Sequence, residues 1–105
     1  MATTKPAEVD TVLVSCDALA AYMEDGRFSV RSLARAVEVI LVRDWVAGRP
    51  RPTCSSASIG HLRSGARRRC RRDRARAIEE ALGATSGSLF RMKVRPDDWY
   101  LANAA

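Results

Sequence analysis

Eight arginines occupy the 14 positions from 63 to 76, and this block restricts the possible folds more than any other feature of the chain. Arginine keeps its charge at physiological pH, so a run of this density has to lie on the surface rather than in a hydrophobic core. Within the block only Asp73 carries the opposite charge. The formal charge is −2 over residues 1–48, +10 over 49–95 and −2 over 96–105. This concentration of positive charge predicts a polyanionic partner.

The composition of the block favours a nucleic acid over a membrane surface. Guanidinium groups pair with phosphate oxygens through two hydrogen bonds, and DNA releases counterions when arginines neutralise its phosphates. A membrane-surface helix alternates basic residues with large apolar anchors, whereas residues 63–76 contain no aromatic or large aliphatic side chain. The first ten residues lack the basic-then-apolar pattern of an export signal, which predicts a cytoplasmic location.

The remaining chemistry predicts a binding protein rather than an enzyme. The 105 residues contain one histidine and scattered carboxylates, without a glycine-rich phosphate loop or a paired nucleophile and base, so no small-molecule substrate is expected. Three cysteines are an odd number in a chain without an export signal, which predicts reduced thiols. Cys54, His61 and Cys70 lack a fourth ligand for zinc. We therefore expect no metal and no cofactor.

Capping residues and apolar spacing predict five helices. They span about 16–24, 29–46, 57–64, 72–82 and, as a single turn, 86–91. The second is the most distinct, because apolar side chains recur along it at the i, i+3, i+4, i+7 and i+11 positions of a buried stripe. Residues 9–14 fit either a short strand or an extended lead-in.

Four segments in order carry a resemblance to a known family. They are Val30-x-x-Leu33-Ala34, Ser55-x-x-x-Ile59-x-x-Leu62-x-x-Gly65, Ala75-x-x-Ile78-x-x-Ala81-Leu82-Gly83 and Leu89-Phe90. This series resembles the lambda-repressor-like helix-turn-helix family, and segments 59–65 and 75–83 are similar to immunity repressors of mycobacteriophages and related actinobacteriophages. The resemblance implies an all-α, five-helix domain over 15–91, after a lead-in at 1–14 and before a C-terminal tail at 92–105.

The resemblance also implies a function, that of a sequence-specific repressor of phage transcription that maintains lysogeny by binding operator DNA. In this family the third helix lies in the major groove. Serine and histidine can hydrogen-bond base edges there, and alanine can contact a thymine methyl group. The residues placed to read bases are Ser56, Ala57, Gly60 and His61. The residues placed to hold phosphates are Arg31, Ser55, Ser58, Ser64, Arg67, Arg68, Arg69 and Arg71.

Residues 38–52 depart from the family pattern as an insertion between the second and third helices. In the preferred interpretation the second helix extends to about residue 46, and Val39, Val42 and Val46 form a second apolar face. Such a face predicts a homodimer that reads two half-sites. In the alternative, residues 37–42 form a strand that pairs with 9–14.

Two other functions fit the same sequence. An antitoxin or a recombination accessory factor would use the same DNA-binding residues. A non-specific RNA-binding protein would use the arginine block alone, but recognition of single strands usually relies on stacking against exposed aromatic rings. None of the six aromatic residues lies between positions 46 and 89, which argues against RNA.

Overall fold

The fold is known from a computed structural model, which describes residues 10–92. The elements are β1 (Asp10–Leu13), α1 (Cys16–Asp25), α2 (Val30–Arg43), α3 (Ser56–Ser64), β2 (Arg69–Arg71), α4 (Arg72–Leu82) and β3 (Phe90–Met92). Most of the predicted lead-in, residues 1–9, and all of the predicted tail except Met92 lie outside the described residues.

A small antiparallel sheet overturns the all-α prediction. Its strand order is β2-β1-β3, with Thr11 opposite both Cys70 of β2 and Met92 of β3. Residues 10–92 contain four helices beside this sheet. The predicted five-helix lambda-repressor-like domain is therefore wrong, and part of the predicted lead-in forms the central strand.

The predicted fifth helix over 86–91 is absent because a buried carboxylate holds this segment in another conformation. Glu79 of α4 is 3% exposed, and its carboxylate accepts hydrogen bonds from the backbone N–H groups of Gly87, Leu89 and Phe90. Gly87 has a φ of 84°, a left-handed conformation that does not fit an α-helix. The chain turns here and enters β3.

Helix α2 decides between the two interpretations of residues 38–52. Ser29 and Ser32 cap each other's backbone at its start, and Leu33, Ala34, Val37 and Leu41 form its buried stripe. The helix runs through 37–42, so the alternative strand is wrong. It ends at Arg43 with Asp44 as its C-cap, rather than at about residue 46.

The core lies between the sheet and the four helices. Helix α2 packs against both α3 and α4, while α1 packs against α3. Large side chains from every helix and from β1 are almost fully buried, and each such residue stabilises the fold by roughly 1.5–3 kcal/mol. They are Leu13, Leu19, Met23, Leu33, Val37, Ile59, Leu62 and Ile78. Within residues 10–92, no helix has the length and apolar character needed to span a bilayer.

Candidate nucleic-acid interface

Helix α3 is fixed at both ends by its own sequence. The Ser55 hydroxyl accepts a hydrogen bond from the Ser58 backbone N–H at 3.2 Å, which satisfies a free donor of the first turn. Gly65 ends the helix in the left-handed region with a φ of 84°, where a side chain would be strained. Ile59 and Leu62 point into the core. The opposite side of this short helix is left open to solvent.

The open side of α3 carries three of the four residues predicted to read bases. Ser56, Ala57 and His61 are exposed. Gly60 is half-buried instead, and a Cβ atom placed there would lie 3.8 Å from Cγ1 of Val30. Gly60 therefore faces α2. The small side chains at 56 and 57 would let the helix backbone approach a ligand closely.

An arginine-lined groove of about 500 Å³ lies beside α3, and we call it the arginine groove. Its lining consists of Ser58, Leu62, Arg67, Arg68, Arg69, Cys70, Arg71 and Arg74. Ser58 and Leu62 belong to α3, while Cys70 belongs to β2. Five arginines and no acidic residue line this groove, so its surface is strongly electropositive. The groove contains all four arginines that were predicted between 67 and 71 as phosphate ligands.

Backbone hydrogen bonds hold the arginine-rich segment in place. The Arg67 N–H donates to the His61 carbonyl oxygen at 3.0 Å, which ties the segment to the end of α3. The Leu13 N–H donates to the Arg68 carbonyl oxygen at 2.7 Å, and β1 pairs with β2 from there on. The arginines therefore project from an ordered strand and its approach, not from a free loop.

Most of these arginines have no acidic partner. Within the described part of the chain, no salt bridge joins Arg67, Arg68, Arg69 or Arg74 to a carboxylate, whereas Arg43 pairs with both Asp44 and Glu80. A guanidinium group without a carboxylate partner has N–H groups available to bind an external anion. The arginine groove is thus the part of the surface best suited to phosphate.

The remaining predicted phosphate residues surround α3 in different ways. Arg31 is exposed in the first turn of α2, next to Val30, which faces Gly60 of α3. The hydroxyls of Ser55 and Ser58 lie 2.9 Å apart and bond to each other. The Ser64 hydroxyl donates to the His61 carbonyl oxygen at 3.2 Å. These serines thus have local roles at the two ends of α3.

Arg74 is the one arginine lining this groove that was not predicted from the sequence as a phosphate ligand. It lies in the first turns of α4 and is half-buried, and its Nη2 donates to the Thr53 carbonyl oxygen at 3.0 Å. Its position in the arginine block at 63–76 could have identified it as a candidate. Only the folded structure, however, brings it to the same groove as Ser58 and Leu62 of α3.

The two buried thiols near Arg74 are poor nucleophiles. Burial raises the pKa of Cys70 to about 12, and the charge of Arg74 opposes this shift only in part. Burial also raises the pKa of Cys54. Both thiols therefore stay protonated at neutral pH, and all three cysteines are free.

The predicted dimer residues do not share one helical face. Val39 lies on α2 and is 65% exposed, whereas Val46 lies beyond the end of the helix and is 63% exposed. Val42 is half-buried. Val46 and Trp45 instead line a separate groove of about 710 Å³ between the end of α2 and α4.

Neither a metal-binding cluster nor a comparison with known proteins adds information on this site. Among residues 10–92, no cluster of histidine, cysteine or acidic side chains has the arrangement needed to hold a metal ion. Comparison of the chain with protein-family models, curated proteins and solved structures gave no match.

Proposed function

We propose that this protein binds double-stranded DNA, with α3 in the major groove and the arginine groove on the neighbouring phosphates. The observation that carries the proposal is the junction of two surfaces. The exposed side of α3 begins with the small residues Ser56 and Ala57 and continues to His61, and directly beside it lies a groove with five arginines and no acid. Base reading needs a slim helix that approaches closely, and phosphate binding needs charge on its flank.

The proposed biological role is that of a sequence-specific transcriptional repressor. Support for it comes from the similarity of segments 59–65 and 75–83 to phage immunity repressors, and from the surface just described. A repressor of this kind occupies operator DNA and blocks transcription of lytic genes. The role of the protein as a repressor depends on sequence preference, because the arginines alone would hold any duplex.

The test compares nucleic acids of one length across a range of salt concentrations. Fluorescence anisotropy would measure binding to a duplex, to single-stranded DNA and to single-stranded RNA. We expect the duplex to bind most tightly, with log K falling linearly with log salt by roughly 0.9 per neutralised phosphate. RNA binding as tight as duplex binding would contradict the proposal and favour an RNA-binding protein.

A further inference from the structure

Arg74 differs from the other arginines of the groove because its guanidinium group is partly buried without an anion. Its Nη2 is tied to the Thr53 carbonyl oxygen, while its Nε is buried and has no hydrogen-bond partner. The Asp73 carboxylate accepts a hydrogen bond from the Arg74 backbone N–H at 2.9 Å rather than from the guanidinium. A buried N–H donor without a hydrogen-bond partner is unfavourable.

The groups around Arg74 do not supply that anion. Cys54 and Cys70 interact with its charge, but burial raises the pKa of both thiols, so they remain neutral. The rest of the groove lining consists of Ser58, Leu62 and four more arginines. The nearest carboxylates are engaged with backbone N–H groups, that of Asp73 with Arg74 and that of Glu38 with Cys54. Within the described residues, no salt bridge joins the Arg74 guanidinium to either of them.

We propose that the arginine groove holds one phosphate of the DNA backbone and that Arg74 is its principal ligand. This inference rests on the proposed function, because the phosphate belongs to the bound duplex. The groove volume of about 500 Å³ is ample for a phosphodiester. Ser58 lines the groove from α3, so a phosphate held there lies directly beside the helix that reads the bases.

The geometry gives Arg74 a positioning advantage over its neighbours. The hydrogen bond to Thr53 fixes the guanidinium before DNA arrives, so binding needs little further ordering of this side chain. Arg67, Arg68 and Arg69 are exposed. Arg68 donates from its Nη2 to the Leu13 carbonyl oxygen, but at a longer distance of 3.4 Å, so this group is held less firmly than Arg74. Arg74 is therefore expected to select one phosphate, whereas these three contribute general attraction.

The experiment uses the full chain and a set of duplexes, each with one neutral methylphosphonate in place of a backbone phosphate. We expect wild-type protein to lose about tenfold in affinity at one linkage. Arg74→Gln should lose about tenfold on the unmodified duplex and nothing further at that linkage. Such coupling between a side chain and a phosphate is what a double-mutant cycle measures.

Two further variants make the result independent of folding. Arg76 belongs to the same helix but lines the groove between α2 and α4. The Arg76→Gln protein should therefore lose affinity at that linkage as the wild type does. Arg74→Lys keeps the charge and should show intermediate affinity with the sensitivity retained. If thermal melting shows that Arg74→Gln is unfolded, Arg74→Lys supplies the comparison, and wild-type affinity in it would overturn the assignment.

The outcomes separate this inference from the proposed function. A folded Arg74→Gln protein whose linkage profile matches the wild type overturns the assignment of Arg74, while duplex binding by the wild type still supports DNA recognition. A wild-type protein that binds no duplex overturns the proposed function itself.

Discussion

At the scale of single residues, Glu79 explains the largest difference between the predicted and the observed fold. A charged residue on an amphipathic helix is normally expected on the outer face. Here it is buried, and its carboxylate accepts three backbone N–H groups from the segment 87–90. This one interaction converts a predicted helical turn into the start of β3, and no local pattern reveals it.

Replacement of Glu79 by glutamine should destabilise the fold by about 2–3 kcal/mol, because charge-assisted hydrogen bonds weaken and an amide N–H then faces backbone donors. Chemical denaturation would measure the change. Glu80→Gln is the matched control, since the Glu80 carboxylate is exposed and accepts hydrogen bonds from Arg43, and the effect of this substitution should be small. Equal effects of the two substitutions would contradict the role assigned to Glu79.

Gly60 offers a second test at this scale, because the structure turns it towards α2 and not towards a ligand. A Cβ atom at 3.8 Å from Val30 makes an ordinary contact. Gly60→Ala should therefore raise the free energy of unfolding by about 0.5–1 kcal/mol through helix propensity. DNA affinity should stay unchanged in a binding titration. A large loss of affinity in a stable Gly60→Ala protein would show that this position faces the DNA.

At the scale of elements, the four observed helices were predicted, whereas only β1 among the strands was foreseen, as one of two alternatives for residues 9–14. Helices α2 and α4 have strong amphipathic patterns, and α4 was predicted with its observed limits, 72–82. Strands β2 and β3 have three residues each, and each strand buries one of them, Cys70 and Phe90 respectively. The hydrogen bond between Thr11 and Cys70 spans 59 positions of sequence. Such distant pairing leaves no local signal in a chain of this kind.

The candidate site was predicted in part for the same reason. Local capping residues located α3, and the arginine block located the arginines that line the groove. The sequence of α3 does not reveal which of its sides packs against α2, so Gly60 was assigned to the exposed side. Arg74 was missed because its place in the groove depends on how α4 packs on α2 and on the sheet.

The prediction at this scale concerns the arginines that lead into β2. Replacing Arg67, Arg68 and Arg69 together by alanine should weaken binding to every duplex. It should also reduce the slope of log K against log salt by up to about three units. A triple replacement of Arg43, Arg49 and Arg76 removes the same charge from the other groove and serves as the control. Similar slopes for the two triple variants would mean that only net charge matters.

At the scale of the whole molecule, the positive charge is concentrated in one region of the chain. The region 49–95 carries a formal +10 while the first 48 residues carry −2. The basic region supplies α3, β2 and α4, so the folded chain concentrates its charge around the helix that we propose reads bases. This arrangement favours rapid, salt-sensitive encounter with DNA. In this proposal, sequence preference depends on the few side chains exposed on α3.

Selection of bound duplexes from a random pool at physiological salt tests that central claim most directly. The wild type should enrich one sequence motif. His61→Ala should still bind but lose preference at one base pair, by about 1–3 kcal/mol if measured on isolated duplexes. A wild-type protein that enriches no motif, or a His61→Ala protein that enriches the unchanged motif with equal strength, would contradict base reading by α3.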